Sequence, residues 1–266
     1  MLVKDDNSPH PNPLPEGERE VISILGVPVH DVTLAEACDV AERLIVQGGA
    51  HQFATVNPEF IMAARRDAEF MRVLHQTAIN VPDGVGVLWA ARRKGHVLRE
   101  RVAGVELMDK LCAMASTNGW RAYFLGAAPG VAERAAAVMA LKYPGLMIAG
   151  AYAGSPKPVD EAGIVERIRT SQPHLLFVAY GAPRQDVWLA RNTPALTPNS
   201  RPLGEGFVGV GVGGAFDFIT GVQTRAPEWA RSAGLEWLFR LVRQPSRWKR
   251  QTALLRFVIA AMLESR

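Results

Sequence analysis

Two polar stretches bracket one segment of the chain: T-V-N (Thr55–Asn57), closing an apolar run, and V-P-D-G (Val81–Gly84), with Asp83 between proline and glycine. Both read as strand exits, the edge where open α/β sheets hold their ligands. A carboxylate at such an exit can accept a proton as a general base. Pro-Asp-Gly is also favourable turn chemistry in any protein, and spacing alone favours the turn. Three further exits carry glycine: L-G-A-A-P-G-V-A-E (Leu125–Glu133), Y-G-A-P-R-Q-D-V-W (Tyr180–Trp188) and G-V-G-G-A-F-D (Gly211–Asp217). Glycine there lets backbone approach a phosphate, and the exposed amides attract anions. None fits G-x-G-x-x-G with an acid downstream, so the dinucleotide fingerprint is missing. Three such exits on one edge favour a nucleotide or diphosphate site over three tight turns.

Side chains near these exits can assist. Gln185 and Arg184 follow Y-G-A-P at a helix start, where a glutamine can hold a sugar hydroxyl or a phosphate. Arg101, in R-E-R-V-A-G, can balance charge on a departing diphosphate, or be one more surface arginine in a basic loop. Asp217 can meet a ribose or base, or cap a turn. The six histidines have no metal-ligand spacing, and Cys38 and Cys112 stand far apart within helical patterns, as buried thiols do. No D-x-D pair occurs to clamp a diphosphate-bound cation, so a sugar-nucleotide enzyme built this way is expected to work without a metal.

The elements that must position these residues alternate along the chain. V-I-S-I-L-G reads as a strand, and Thr33 can cap a helix to about Gln47. H-Q-F-A-T-V-N, A-I-N-V-P-D, R-A-Y-F-L-G, L-M-I-A-G-A-Y, H-L-L-F-V-A-Y-G and G-F-V-G-V-G-V-G-G read as further strands. Helical patterns lie between them, including Pro58 to about Gln76 with a second start at Asp67. Strands alternating with helices predict an α/β fold, a Rossmann-like and mostly parallel sheet flanked by helices. Helix Arg184–Asn192 is expected to give way to a surface loop from Thr193 to Gly206. Three segments are expected: residues 1–20, polar, Pro-rich and disordered; an α/β core over 21–222; and a basic helical appendage over 223–266, with breaks at Pro227, Gly234 and Pro245.

The charge is uneven. The chain carries +4 overall, yet residues 234–266 alone hold seven basic groups (Arg240, Arg243, Arg247, Lys249, Arg250, Arg256 and Arg266) against Glu236 and Glu264. Arginines interleaved with Trp229, Trp237, Trp248 and Phe257 suit the surface of an anionic membrane. The competing reading packs Trp237, Leu238 and Leu241 on the core. Nucleic acid is not expected, because no binding motif accompanies the charge. No stretch reads as a signal peptide or a membrane span, and two buried thiols suit the cytoplasm.

The motifs together resemble the WecG/TagA/CpsF glycosyltransferase family. T-V-N-P-E, V-P-D-G-x-G-V-x-x-A-A-R, R-V-x-G-x-E-L, F-L-G-x-x-P-G-V-A-E, G-A-P-R-Q-D-x-W, V-G-G-A-F-D and R-A-P-E-W…G-L-E-W-L-x-R-L run in the family's order from about Val21 to Arg256. The resemblance implies a metal-independent, inverting transferase of the GT-E type on the cytoplasmic face of the membrane. Its donor would be a UDP-sugar, often of N-acetylmannosamine or its uronic acid, and its acceptor an undecaprenyl-diphosphate-linked sugar. It implies Asp83 as general base, with Thr55 and Asn57 beside it. Arg101 and Gln185 fall at active-site positions, and Asp217 falls near the nucleotide. Arg184 stands where many members carry lysine, which keeps the charge. The tail is implied to close the site at the membrane. Homo-oligomerisation is left open. The rivals are a Rossmann-like NAD(P)-dependent oxidoreductase, which lacks its fingerprint here, and a non-catalytic nucleotide-binding membrane adaptor, which would show no turnover.

Overall fold

The computed structural model describes residues 20–196, 205–232, 236–243 and 248–264. Residues 1–19 of the segment expected to be disordered, 1–20, lie outside these, as do the breaks expected at Gly234 and Pro245. So do Arg247, Arg266 and the side chains of Arg240, Lys249 and Arg250.

The chain opens with an antiparallel hairpin, β1 (Val21–Ile24) and β2 (Val27–His30). The sequence reading had one strand here. Leu25 and Gly26 both take positive φ, 52° and 85°, which is the two-residue turn that closes a hairpin. Pro28 masked the second strand, because proline is tolerated only where a strand has an unpaired side. Thr33 then caps α1 (Leu34–Gln47): its hydroxyl accepts the Glu36 amide while Glu36 accepts the Thr33 amide in return.

Alternation follows as expected: β3 (Ala50–Val56), α2 (Pro58–Ala64), α3 (Ala68–Gln76), β4 (Ile79–Pro82), α4 (Val85–Arg93), α5 (Gly104–Asn118), β5 (Arg121–Gly126), α6 (Val131–Lys142), β6 (Met147–Tyr152), α7 (Pro158–Ser171), β7 (Leu175–Ala179), α8 (Arg184–Leu196), β8 (Phe207–Gly211) and α9 (Ala215–Ile219). Six strands form one parallel sheet in the order β4-β3-β8-β7-β5-β6. β5, β7 and β8 are almost wholly buried on both faces, as parallel strands under two helical layers must be. One layer packs Leu107, Met108, Leu111 and Ala135 on the sheet; the other packs Phe60, Ile61, Phe70 and Leu74.

The two sheet edges are finished differently. β6 is largely solvent-facing. The hairpin lies against β4, and the ring nitrogen Nδ1 of His30 accepts the Asn80 amide at 3.0 Å. The buried Asn80 side chain in turn donates to the Leu74 carbonyl and accepts from Thr77. The β4 edge is thereby capped without another strand.

α8 runs to Leu196, past the expected end at Asn192. Leu196 is buried, and the side chains of Asn192 and Thr193 donate to the carbonyls of Trp188 and Leu189, so the last turn is held despite Pro194. The rest of the expected loop, 197–204, lies outside the described residues. Three helices complete the chain: α10 (Glu228–Ser232), α11 (Glu236–Arg243) and α12 (Trp248–Leu263). No described helix is long and apolar enough to cross a membrane.

Candidate active site

A cleft of about 340 Å³ opens where β3, β4, β7 and β8 end, at the carboxyl edge of the sheet. Its lining brings together Thr55, Asn57, Asp83 and Gln185, which lie up to 130 residues apart in sequence. Each is held by local chemistry. Thr55, the penultimate residue of β3, is 4% exposed, and its hydroxyl donates to the Gly211 carbonyl of β8 at 3.2 Å. Asn57 ends the strand and caps α2, its side-chain oxygen accepting the Phe60 amide at 3.0 Å. Pro58 takes the first helical position, where a missing N–H costs nothing. Asp83 leaves β4 with its amide donating to the Val56 carbonyl at 2.8 Å, which draws the two exits together. Gly84, at φ 109°, turns the chain into α4 in a conformation few other residues adopt.

Two of the three glycine-bearing exits line the cleft, those after β7 and β8. The third, after β5, does not. Strand order explains this: β5 is separated from β3 and β4 by β8 and β7. Gln185 joins the two exits that count. Its side-chain oxygen accepts the amides of Gly181 at 3.1 Å and Gly213 at 3.0 Å, so it acts as a buried tie beneath the cleft. The first turn of α5 supplies the opposite wall through Ala103, Gly104 and Val105, with no side-chain cap on its N-terminus. The leading amides of such a helix have no intrahelical acceptor and favour an anion. Gly104 packs closely here: a Cβ on it would lie 3.3 Å from the Thr55 methyl, a tight contact.

The other expected residues stand apart. Arg184 is exposed and Asp217 accepts from the Gln223 side chain at 3.0 Å; neither lines the cleft. Burial pushes the Asp217 carboxyl above its ordinary value. Arg101 also lies outside the lining and pairs with Glu106 at 3.6 Å. Glu106 pairs as well with Arg225, and Arg225 does reach the cleft. Arg225 opens R-A-P-E-W, a motif visible in the sequence, yet nothing in its spacing marks it as a neighbour of β3 and β4. Among the described residues no group of three or more His, Cys, Asp or Glu side chains is placed to hold a metal ion.

The sequence pattern of the Glycosyl transferase WecG/TagA/CpsF family matches residues 22–266. The chain belongs to that family. It is similar to three relatives named N-acetylglucosaminyldiphosphoundecaprenol N-acetyl-beta-D-mannosaminyltransferase. The one from Bacillus subtilis (strain 168) is 30% identical, over 92% of both chains. The one from Bacillus spizizenii is 32% identical, over 80% of this chain and 79% of the relative. The one from Staphylococcus aureus (strain MW2) is 29% identical, over 86% of each. As a family member the protein is a glycosyltransferase, and the cleft is the place in its fold where strand ends, a carboxylate and glycine amides converge.

Proposed function

We propose that this glycosyltransferase moves a hexosamine from a UDP-sugar onto an undecaprenyl-diphosphate-linked sugar in the synthesis of a cell-surface polymer, with Asp83 as general base. The sugar is N-acetylmannosamine, its uronic acid or a related hexose, the first being the one in the names of the similar proteins. The observation that carries the reading is Asp83 at the β4 exit, in one cleft with Thr55, the Gly213 and Gly214 turn and Arg225.

The step follows from that arrangement. The acceptor hydroxyl attacks the anomeric carbon and gives its proton to Asp83, a contribution of about 10²–10⁴-fold in rate. A carbon–oxygen bond forms as the bond to the donor phosphate breaks, and UDP leaves with the electron pair. A single displacement of this kind inverts the anomeric centre. Arg225 and the α5 amides oppose the charge that develops on the diphosphate, which supports catalysis without a metal. Thr55 and Asn57 shape the wall beside the base.

The membrane reading rests on the last helix. α12 packs Phe257 and Ala261 on the core, and Leu255, Ile259, Met262 and Leu263 form an apolar stripe on its outer side. Leu263 is 80% exposed. Trp237 and Leu238, candidates for core packing, are also exposed. Such a stripe beside a basic tail suits peripheral binding to an anionic bilayer, where a lipid-linked acceptor resides.

The test is turnover. The purified full chain, given a panel of UDP-hexosamines and a short-chain lipid-diphosphate-GlcNAc, is expected to release UDP and add one hexosamine by mass spectrometry, with or without EDTA. No acceptor-dependent UDP release with any donor overturns the reading. Loss of activity in EDTA overturns its metal-independent part.

A further inference from the structure

Glu106 is the third residue of α5, one position past the residues of that helix that wall the cleft. A glutamate in a first helical turn usually serves its own helix, by facing the dipole or by closing a capping box. Thr33 and Glu36 make such a box on α1. α5 has Ala103 at its cap, which has no side-chain oxygen to make one. Glu106 reaches outward: its Oε1 accepts from Arg225 Nη2 and stands 3.6 Å from Arg101 Nη2.

Arg225 lies between α9 and α10, in a stretch that is neither helix nor strand. Its main chain is pinned on both sides. Gln223 donates its amide to the Asp217 carbonyl at 2.9 Å and its side chain to the Asp217 carboxyl at 3.0 Å, and Ala226 is buried. Among the described residues that line the cleft, Arg225 alone is positively charged, whereas Asp83 and Glu59 are acidic. A diphosphate entering there meets two carboxylates, so its attraction depends on where that one guanidinium is held. The Glu106 contact engages Nη2, and Nε is buried with no acceptor among the described residues. A planar guanidinium fixed by one arm keeps its other N–H groups for a phosphate and loses less rotamer freedom when the phosphate binds. As an ion pair between partly exposed groups, the contact itself adds little to stability.

We propose that Glu106 is a positioning residue of the transfer site, holding Arg225 so that its free N–H groups meet the donor diphosphate. This rests on reading the cleft as the transfer site, but the hold can be measured without turnover. The probe is UDP, titrated calorimetrically at fixed ionic strength into the full chain and into Glu106→Ala, Glu106→Gln, Arg225→Gln and the double variant Glu106→Ala/Arg225→Gln.

Charge and position predict opposite signs. Removing a carboxylate near an anion site strengthens UDP binding if charge alone matters, whereas losing the hold on Arg225 weakens it. Glu106→Ala is expected to weaken UDP binding by about tenfold, the loss of a preorganised contact. Glu106→Gln is neutral but keeps an oxygen that can accept from Arg225, so it is expected to fall between Glu106→Ala and the wild type. In the Arg225→Gln background, Glu106→Ala is expected to weaken binding no further, because a residue that acts through Arg225 has nothing left to act on. Tighter or unchanged UDP binding in Glu106→Ala overturns the proposal. So does a loss that persists without Arg225, since Glu106 would then act through Arg101 or the fold. Should Glu106→Ala fail to fold, Glu106→Gln with and without Arg225→Gln decides on the same two criteria. Turnover with UDP-sugar and acceptor separates the two readings. Turnover without the coupling leaves the transferase and removes the Glu106 role; the coupling without turnover does the reverse. A wild type that binds no UDP overturns both.

Discussion

In the cleft, polar side chains are buried and partnered, whereas along α12 apolar side chains stand in solvent. Thr55 and Gln185 lose nearly all contact with water and fix strand ends against one another. Leu255, Ile259 and Leu263 do the reverse, keeping apolar surface in contact with water. The two regions are mechanically joined. α12 packs on α2 and α4, the helices that follow T-V-N and V-P-D-G. At that junction a Cβ on Gly86 would lie 2.7 Å from Pro58 and 3.6 Å from Phe257. An exposed apolar surface thus sits on the helices that follow the two polar strand exits.

The largest effect expected is on the chemical step. Asp83→Asn removes the proton acceptor while keeping the shape of the β4 exit, so kcat should fall by about 10²–10⁴-fold. UDP affinity and thermal stability should barely change, by titration calorimetry and melting. A variant with near wild-type kcat would take Asp83 out of the mechanism and leave the turn reading of Pro-Asp-Gly in place. Next comes Arg225→Gln. Losing a charge-assisted contact of about 1.5–3 kcal/mol should weaken UDP binding by roughly 10–100-fold. The same change at exposed Arg184 should leave it within twofold. Equal losses at both would mean that general surface charge, and not the cleft, attracts the nucleotide.

Asp186 gives a third contrast, in stability against pH. Burial raises its folded pKa above the ordinary 3.8, so the folded state holds a proton that the unfolded chain releases. Between about pH 4 and pH 8 the wild type must lose stability relative to Asp186→Asn as pH rises, and above pH 8 the difference should level off. Denaturant melts of both proteins at pH 5, 7 and 9 check this. A constant difference would mean that Asp186 is ionised in the fold.

Much of this was legible in the sequence because the signals were local. Strand runs, the Thr33 cap, the second start at Asp67 and the two polar exits each depend on neighbours within a few residues. The hairpin was missed because Pro28 breaks the strand pattern while the turn at Leu25–Gly26 offers only one glycine. The placement of Arg225 was illegible for a different reason. It reaches the cleft through Glu106, 119 residues away, and no periodicity reports such a pairing. Strand order was equally silent, since it is the insertion of β7 and β8 between β3 and β5 that excludes the third glycine exit. Gln185, expected to hold a sugar hydroxyl or a phosphate, lines the cleft with its side-chain oxygen bonded to backbone amides, partners that spacing could not distinguish from a ligand.

The smallest effect expected lies on the exposed stripe, and it separates the two regions most cleanly. Ile259→Ser replaces one apolar side chain that is 51% exposed, so melting temperature and turnover of a short-chain, water-soluble acceptor should change little. Binding to vesicles containing anionic phospholipid should weaken by roughly tenfold, the loss of about 1.5 kcal/mol for one aliphatic side chain withdrawn from an apolar phase. Phe257→Ser, on the opposite side of the same helix, should instead destabilise the protein, because Phe257 is wholly buried against the core. If Ile259→Ser leaves vesicle binding intact while Phe257→Ser abolishes it along with the fold, the stripe is not the membrane face, and the basic side chains alone must account for any attraction to lipid.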